Sequence, residues 1–585
     1  MPKDNNHGLP SQKELEKEIA DYLSDKYGSK VKIVSTGVFP ELAEDKTSGE
    51  PVRTGDKSVF DFDLKPEELV RYLDEYVIRQ DNAKAVLATK ICTHFNRIRY
   101  FAAQSNGDQG SIGQVKSNVL LIGPTGVGKT FLIKLIAQRI GVPFIKGDAT
   151  KFSETGYVGG DVEDLVRDLV KEADGDVEKA QYGIIYVDEI DKIAASSNRI
   201  GQDVSRTGVQ RALLKPMEET DVDMKVPHDP ISQIEAMEYY RTHGKREKQT
   251  VNTKNILFIM SGAFNGLEEI IKRRTVPGNI GFEGKLTSKK PDSRIFSRVK
   301  SEDLIEYGFE SEFVGRLPVL SVLDELTVDD LYQILTNPNC AVVVGKKQDF
   351  LAYDIRIFFE DSAFAEIARL ADQEKTGARG LVSVMERLLL PFEKKLPSTE
   401  IRFLVITPEI VLNPEKELGK ILNDPDLIVE HQQRCEELAL DELDMLNDFI
   451  ANTQKKYLQE QNISLSPTRL NLMAEECQRS HMDPHVVTST FIEWIHHIRE
   501  CARDASRRFD VRITFNEEAI DQILELQPRG KTMISTLCDE IFKVCEYGFR
   551  LISQKKGIHE VKITREGVVD PEKFINDLVE KKFKL

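Results

Sequence analysis

The run Val119-Leu120-Leu121-Ile122-Gly123-Pro124-Thr125-Gly126-Val127-Gly128-Lys129-Thr130 passes from four apolar residues through a glycine-rich turn into the helical stretch Phe131 to Ile140. A buried strand, a tight loop and a helix in that order make a phosphate cradle. The glycines let backbone N–H groups turn towards an anion, and the helix N-terminus adds its positive dipole. Pro124, Thr125, Gly126, Val127 and Gly128 are expected to form the loop, Lys129 to reach the β- and γ-phosphates of a nucleotide, and the Thr130 hydroxyl to ligate magnesium. Beyond it, Ile184-Ile185-Tyr186-Val187-Asp188-Glu189 is an apolar strand ending in two carboxylates. Adjacent acids at a strand end can divide the work: Asp188 binds Mg²⁺ through its water shell, and Glu189 orients the attacking water. After a phosphate loop, that pair indicates hydrolysis as well as nucleotide binding.

Outward from these motifs, apolar runs including Ile256-Leu257-Phe258-Ile259 alternate with helical patterns from Phe60 to about Asp324. Strands with no polar face are buried on both sides, as in a parallel sheet covered by helices. Residues 58–325 are therefore expected to form a large α/β domain. From 326 to 414 the pattern is mostly helical with a strand-like run at Ile401 to Thr407, which predicts a smaller second domain. Residues 415–508 read as helical throughout, where Leu443, Leu446, Ile450 and Tyr457 keep the spacing of a long surface helix. Residues 1–57 read as an appendage, with a helix-like stretch Gln12 to Asp25, a strand candidate Val31-Lys32-Ile33-Val34 and a Gly/Pro/Thr-rich linker.

The last segment, 509–585, contains an echo. Asp354-Ile355-Arg356-Ile357-Phe358-Phe359 recurs 156 residues later as Asp510-Val511-Arg512-Ile513-Thr514-Phe515, and Ala363, Ile367 and Leu370 meet Ala519, Ile523 and Leu526. Seven of seventeen positions are identical over 354–370. Ile406-Thr407-Pro408-Glu409 is then echoed by Ile563-Thr564-Arg565-Glu566 at offset 157, so the register holds with a slip of one residue. Duplication of the small domain explains both matches.

The chain has 585 residues, 80 basic and 97 acidic, for a formal charge of −17. That acidic balance argues against bulk nucleic-acid binding. No apolar run approaches the ~18 residues that span a bilayer, and the start Met1-Pro2-Lys3-Asp4 lacks a signal-peptide core, so a cytoplasmic protein without a membrane partner is expected. Seven cysteines with no Cys-x-x-Cys pair give neither a disulfide framework nor a zinc ribbon, and no zinc is expected. Two i/i+4 pairs, Cys477 with His481 and His497 with Cys501, read as scattered residues on amphipathic helices.

Several further motifs stand in a fixed order: Leu73-Asp74-Glu75-Tyr76-Val77-Ile78-Arg79-Gln80, Gly156-Tyr157-Val158-Gly159, Ile280-Gly281-Phe282, Glu312-Phe313-Val314-Gly315-Arg316-Leu317-Pro318 and Thr376-Gly377-Ala378-Arg379-Gly380. With them the chain resembles AAA+ ATPases of the Clp/HslU unfoldase group, the ClpX family most closely, over roughly residues 62–412. The resemblance implies an AAA+ P-loop NTPase domain with a parallel sheet, followed by a small α+β lid, then a mostly helical extension ending in a second lid-like copy. It implies ATP and Mg²⁺ as cofactors, with Val77 and Ile78 near the adenine base. Arg316 resembles the finger that a neighbouring subunit inserts at the γ-phosphate, and Arg379 the second-sensor arginine of the lid. A finger supplied in trans implies a homohexamer. Tyr157 and Val158 resemble the pore loop that grips unfolded or tagged protein substrates, an aromatic and an aliphatic side chain between flexible glycines. Ile280, Gly281 and Phe282, set in a polar stretch without an obvious core, resemble the loop that docks on a ClpP-type peptidase.

Some features depart from that family. There is no N-terminal four-cysteine zinc module; residues 1–57 stand in its place. Arg79 occupies what is commonly a glycine, and the strand-end first sensor falls near Ser261. Asp221 to Lys248 offers Lys245, Arg246 and Lys248 mixed with Glu247 in place of an Arg-Lys-His pore-entrance loop. In the second lid-like copy Met533, Ile534 and Ser535 replace Gly377, Ala378 and Arg379, and no second phosphate loop accompanies it. The expected function is an ATP-dependent unfoldase that feeds a peptidase, the alternatives being a protease-independent remodelling chaperone or a nucleotide-gated scaffold.

Overall fold

The computed structural model describes residues 62–103, 116–152, 160–195, 204–224, 250–275, 295–526, 531–554 and 560–583. The expected appendage at 1–57, Tyr157, Val158, Ile280, Gly281, Phe282 and the Lys245 to Lys248 cluster lie outside the described residues.

Among the described residues of the first domain there are seven strands: β1 Val119–Ile122, β2 Phe144–Asp148, β3 Ile184–Asp188, β4 Asp221–Asp223, β5 Thr250–Asn252, β6 Leu257–Gly262 and β7 Val319–Val322. Five form one parallel sheet in the order β2-β3-β6-β1-β7, while β4 and β5 pair antiparallel apart from it. Both faces are buried, as the unbroken apolar runs require. Val119, Leu121, Ile184, Tyr186, Leu257 and Ile259 enter one core, and Leu120, Ile122, Ile185, Val187, Phe258 and Met260 enter the other. The first core runs on without a break into the lid, through Leu381, Leu388, Phe392, Leu404 and Ile406. Strand order places the end of β1 beside the end of β6, and β6 beside β3, so the glycine-rich loop and the two carboxylates emerge on one edge of the sheet.

The lid pairs β8 (Arg356–Phe359) with β9 (Phe403–Ile406) in parallel, joined through helices Asp361–Gln373 and Ala378–Lys395. The extension repeats this plan: β10 (Arg512–Phe515) pairs in parallel with β11 (Glu560–Ile563), through helices Glu517–Leu526 and Lys531–Gln554. Correspondence extends to single residues. Asp354 and Asp510 both turn into the left-handed region before their strands, at φ 60° and 52°. Thr407 and Thr564 precede short helices, and Asn413 and Asp570 end them with nearly equal angles, φ −140° and −136°. Ala363, Ile367 and Ile406 are buried, as are Ala519, Ile523 and Ile563. The slip of one residue lies between the two strands of the pair, where the offset passes from 156 at Arg356/Arg512 to 157 at Phe403/Glu560.

Between the copies run helices Pro425–Thr453, Lys455–Glu460, Pro467–Ser480 and Pro484–Phe509. The expected long helix is present but ends at Thr453, and Tyr457 belongs to the next one. Nor is its apolar stripe a surface feature: Leu446 and Ile450 are 5% and 0% exposed, because they join Met473, Phe491 and Ile495 in a core that continues to Ile575 in the second lid-like copy. The helical region and the repeat are thus packed as one body.

That body is tied by a charge. Arg469 is fully buried; its Nε donates to Asp521 at 2.8 Å, its Nη2 to Glu517 at 3.1 Å and its Nη1 to the Ser464 carbonyl, while Ser466 also donates to Asp521. Removing one partner of a buried ion pair strands the other charge away from water, at a cost of ~3–5 kcal/mol. Arg469→Ala should destabilise the extension by that amount. Urea unfolding followed by the fluorescence of Trp494, the single tryptophan of the chain, reports it directly, since that ring packs 5.0 Å from Phe491 in the same core.

Candidate nucleotide site

A cleft of about 430 Å³ lies between the carboxyl edge of the sheet and the lid. Thr125 to Phe131, Asp188 and Glu189 form its floor, Tyr76, Val77 and Ile78 one wall, and Ala378, Arg379 and Val382 the lid side. The structure thus brings together the sequence-predicted loop, both acids, the Val77-Ile78 pair and Arg379.

The loop turns through left-handed conformations at Gly126 (φ 77°) and Gly128 (φ 95°), which leads directly into helix Lys129–Ile140. Lys129 is 9% exposed and donates to the carbonyls of Gly123 at 2.6 Å and Pro124 at 2.7 Å. Burial lowers its ammonium to about 8; Asp188 and Asp191 oppose that shift and Arg379 adds to it.

Asp188 is the most heavily bonded group of the site. Its Oδ1 accepts from Ser261 Oγ at 2.6 Å and from the Glu189 N–H at 3.0 Å; its Oδ2 pairs with Lys146 at 2.8 Å and lies 3.4 Å from Thr130 Oγ1. Burial pushes this carboxyl up, but the bonds from Lys146 and Ser261 outweigh it and hold the group below its ordinary value. Ser261, fully buried near the end of β6, also meets the Tyr186 hydroxyl at 2.6 Å, and that hydroxyl lies 3.1 Å from Thr130 Oγ1. Glu189 takes a left-handed backbone (φ 57°) on leaving the strand and lines the cleft beside Asp188.

Across the cleft, the lid helix begins where Ala378 N–H donates to the Gly126 carbonyl at 2.9 Å. The approach is so close that a Cβ on Gly126 would stand 2.0 Å from the Thr376 carbonyl oxygen. On the Val77-Ile78 wall, Arg79 and Gln80 are both left-handed (φ 61° and 62°), which explains why glycine is common at the first of them. Here Arg79 is held by Asp330 of the lid helix Val328–Thr336 at 2.6 Å, and Gln80 exchanges two 2.8 Å hydrogen bonds with the backbone of Asp324.

Arg316 is the exception. It follows helix Ser311–Gly315, is paired with Glu218 at about half exposure, and does not line the cleft of its own chain. Sequence reasoning missed Lys146, Asp191 and Asn265. Lys146 comes to Asp188 only because β2 pairs with β3, and Asp191 and Asn265 reach the cleft from turns after β3 and β6. Of the two Cys/His pairs, Cys477 is buried in the extension core, His497 bonds Ser535 at 2.7 Å and Cys501 faces Cys538. The described residues hold no cluster of three or more His, Cys, Asp or Glu arranged for a metal ion, and none of their helices is long and apolar enough to cross a membrane.

The donor set suits a magnesium nucleotide. Phosphates would meet the loop N–H groups, Lys129 and Arg379; the ion would meet Thr130 and, through water, Asp188; an apolar base would meet Val77, Ile78, Val342 and Val382.

The sequence profile of the AAA domain (Cdc48 subfamily) matches residues 114–320. The chain is 38% identical over 366 residues to the ATP-dependent Clp protease ATP-binding subunit ClpX of Treponema denticola, a match that covers 62% of this chain and 83% of that protein.

The buried Lys129 makes stability depend on pH in a definite sense. Its folded value of about 8 lies below the ordinary 10.5, so the folded chain binds fewer protons than the unfolded one between those values. The contribution of this group should rise between pH 8 and 10.5, by on the order of 3 kcal/mol. Lys129→Met should flatten that limb of a pH profile of urea unfolding followed by circular dichroism, and weaken nucleotide binding.

Proposed function

The chain belongs to the ClpX family of AAA+ ATPase chaperone subunits, and from that premise we propose that it is a homohexameric unfoldase that draws polypeptides through a central pore and passes them to a ClpP-type peptidase. The observation that supports this reading best is the division of charge around the cleft. Lys129, Thr130, Asp188, Glu189 and Arg379 share one cavity, while Arg316 stands outside it with its guanidinium half exposed.

In this reading Mg-ATP supplies the free energy of phosphoanhydride hydrolysis. Lys129 and the loop N–H groups hold the phosphates, and Thr130 with Asp188 hold the ion. Glu189 orients and polarises the attacking water. Asp188, tied by Lys146 and Ser261, stays ionised and in place, and Glu189 follows it on a left-handed turn at the cleft. Arg379 contributes fixed positive charge from the lid, and Ser261 serves as first sensor because it joins the strand end to Asp188. Arg316 reaches the cleft of the neighbouring subunit and stabilises negative charge spread over the transferred phosphoryl group. Hydrolysis changes what the lid helix meets at the phosphate loop, and that movement is passed to Tyr157 and Val158 in the pore. Ile280, Gly281 and Phe282 dock on the peptidase. The Treponema relative is an ATP-binding subunit of a Clp protease, and that similarity supports a peptidase partner for this chain.

Two experiments test the reading. Glu189→Gln and Arg316→Ala should each cut ATP turnover at least ~100-fold while sparing Mg-ATP binding. Mixed rings of the two variants should regain part of the activity, because a site formed by Glu189 of one subunit and Arg316 of the next is intact; no recovery would refute a finger in trans.

The pore and docking loops are tested separately. Tyr157→Ala should abolish unfolding of a stable tagged protein and leave ATPase activity largely in place. Replacing Ile280 and Phe282 together by Ser should spare ATPase activity and unfolding but end degradation coupled to a ClpP-type peptidase. If the unaltered chain never binds such a peptidase with ATP present, protease-independent remodelling becomes the better account.

A further inference from the structure

The extension after the lid has no counterpart in the family motifs, yet it reaches back to the nucleotide domain beside the cleft. Gln454, which ends helix Pro425–Thr453, is 1% exposed. Its Nε2 donates to the Glu75 carboxylate at 2.9 Å, and its Oε1 accepts from His485 Nδ1 at 3.0 Å. An amide oxygen can only accept, so the imidazole carries its proton on Nδ1. Burial and the nearby Arg139 lower the His485 value, in keeping with that neutral ring. The ring packs edge-on to Tyr72 and against Tyr457, with centroids 5.6 and 5.1 Å away. Over both tyrosines lies the guanidinium of Arg139, from the end of the phosphate-loop helix, at 5.5 and 5.9 Å.

Glu75 itself bridges three bodies. Its side chain holds the extension, its carbonyl accepts from Asn337 Nδ2 at 3.0 Å and Asn339 Nδ2 at 3.2 Å on the lid side of the hinge, and its neighbours Tyr76, Val77 and Ile78 wall the cleft. Burial raises the Glu75 carboxyl to about 7, against the bond from Gln454; Asp483 and Asp74 add to the rise and Arg139 opposes it. The extension grips the lid as well, through Lys347 with Glu442 at 2.7 Å, Gln348 Nε2 with the His481 carbonyl at 2.9 Å, and the Val405 N–H with His431 Nδ1 at 3.2 Å. It therefore spans the hinge between the large domain and the lid.

Resting on the nucleotide reading above, we propose that the extension is an internal clamp on the base end of the ATP site, in which Gln454 and His485 act as positioning residues. By holding Glu75 from one side while Asn337 and Asn339 hold it from the other, they fix the segment that packs against adenine. The phosphate end, built on Gly126 to Thr130, does not depend on them. Affinity for the base is then set from outside the two motor domains, and anything that pulls the extension away would loosen ATP without touching the catalytic groups.

The test uses the full chain and two probes, ATP and inorganic tripolyphosphate, which has the phosphates but no base. Gln454→Leu should raise KM for ATP about tenfold, the worth of a hydrogen bond to a charged group, with kcat within about twofold of the parent and inhibition by tripolyphosphate unchanged. His485→Phe, which keeps the ring contacts and loses only the donor, should shift KM in the same direction by less. Glu75→Gln, which keeps an acceptor for Gln454 but loses the charge, should raise KM for ATP by less than Gln454→Leu and leave inhibition by tripolyphosphate unchanged. Equal weakening of ATP and tripolyphosphate would mean general damage and overturn the clamp, as would an unchanged KM in both Gln454→Leu and His485→Phe. Failure of the parent chain to bind ATP at all would instead overturn the nucleotide reading, and this inference with it.

Discussion

Two backbones meet with no side chain between them where Ala378 N–H bonds the Gly126 carbonyl, and the site depends on that contact. Gly126 is required twice over, by its positive φ and by the absence of room for a Cβ beneath Thr376. Because the contact joins the phosphate loop to the first residue of the lid helix, whatever binds the loop also senses the position of the lid. Arg379, one residue further on, is delivered to the cleft by the same junction. The shared apolar core beneath, from Val119 to Phe392, makes the two domains resist sliding, so motion is left to the hinge around Asp324 to Asn337. At that hinge Arg79 and Gln80 hold Asp330 and Asp324.

Much of this was legible in the sequence because it rests on local rules. A four-residue apolar strand before Gly123 and a helix after Gly128 are enough to place the loop, and an apolar strand before Asp188 and Glu189 places the acids. The strands buried on both faces announced a parallel sheet, and the repeat at offset 156 pointed to a second lid-like segment, in which Asp510 takes the same left-handed turn as Asp354. What could not be read are contacts that follow from packing order. Lys146 neutralises Asp188 only through the β2–β3 pairing, and Tyr186 looks like one more core residue until its hydroxyl is seen between Thr130 and Ser261. The apolar stripe of the helix ending at Thr453 suggested a surface element because periodicity tells which face is apolar and not what covers it.

The second lid-like copy shows which parts of a lid are architecture. It retains the strand pair, the buried Ala519, Ile523 and Ile563, and the helix order. At the position of the docking edge the residues have changed character: Ile534, where the first copy has Ala378, is buried, and Ser535, where it has Arg379, bonds His497. An edge that faces a phosphate loop in one copy has become part of an internal helix contact in the other. The retained core residues Ala519 and Ile523 sit on helix Glu517–Leu526 and the changed positions Ile534 and Ser535 on the next helix, Lys531–Gln554, so that edge can differ while the core stays the same.

The bond between Gln454 and Glu75 closes a loop of 379 residues, and that separation has a meaning in time. A ribosome adding ~5–20 residues per second needs roughly 20–75 s to go from one partner to the other. Throughout that interval the sheet, the phosphate loop and then the lid have left the exit tunnel, while Glu75 still lacks its partner from the extension. The wall at Tyr76, Val77 and Ile78 is thus completed long after its own residues are translated. The Val77-Ile78 wall therefore waits until translation has passed Gln454 and His485, and a product interrupted before them has the phosphate loop without the bond to Glu75.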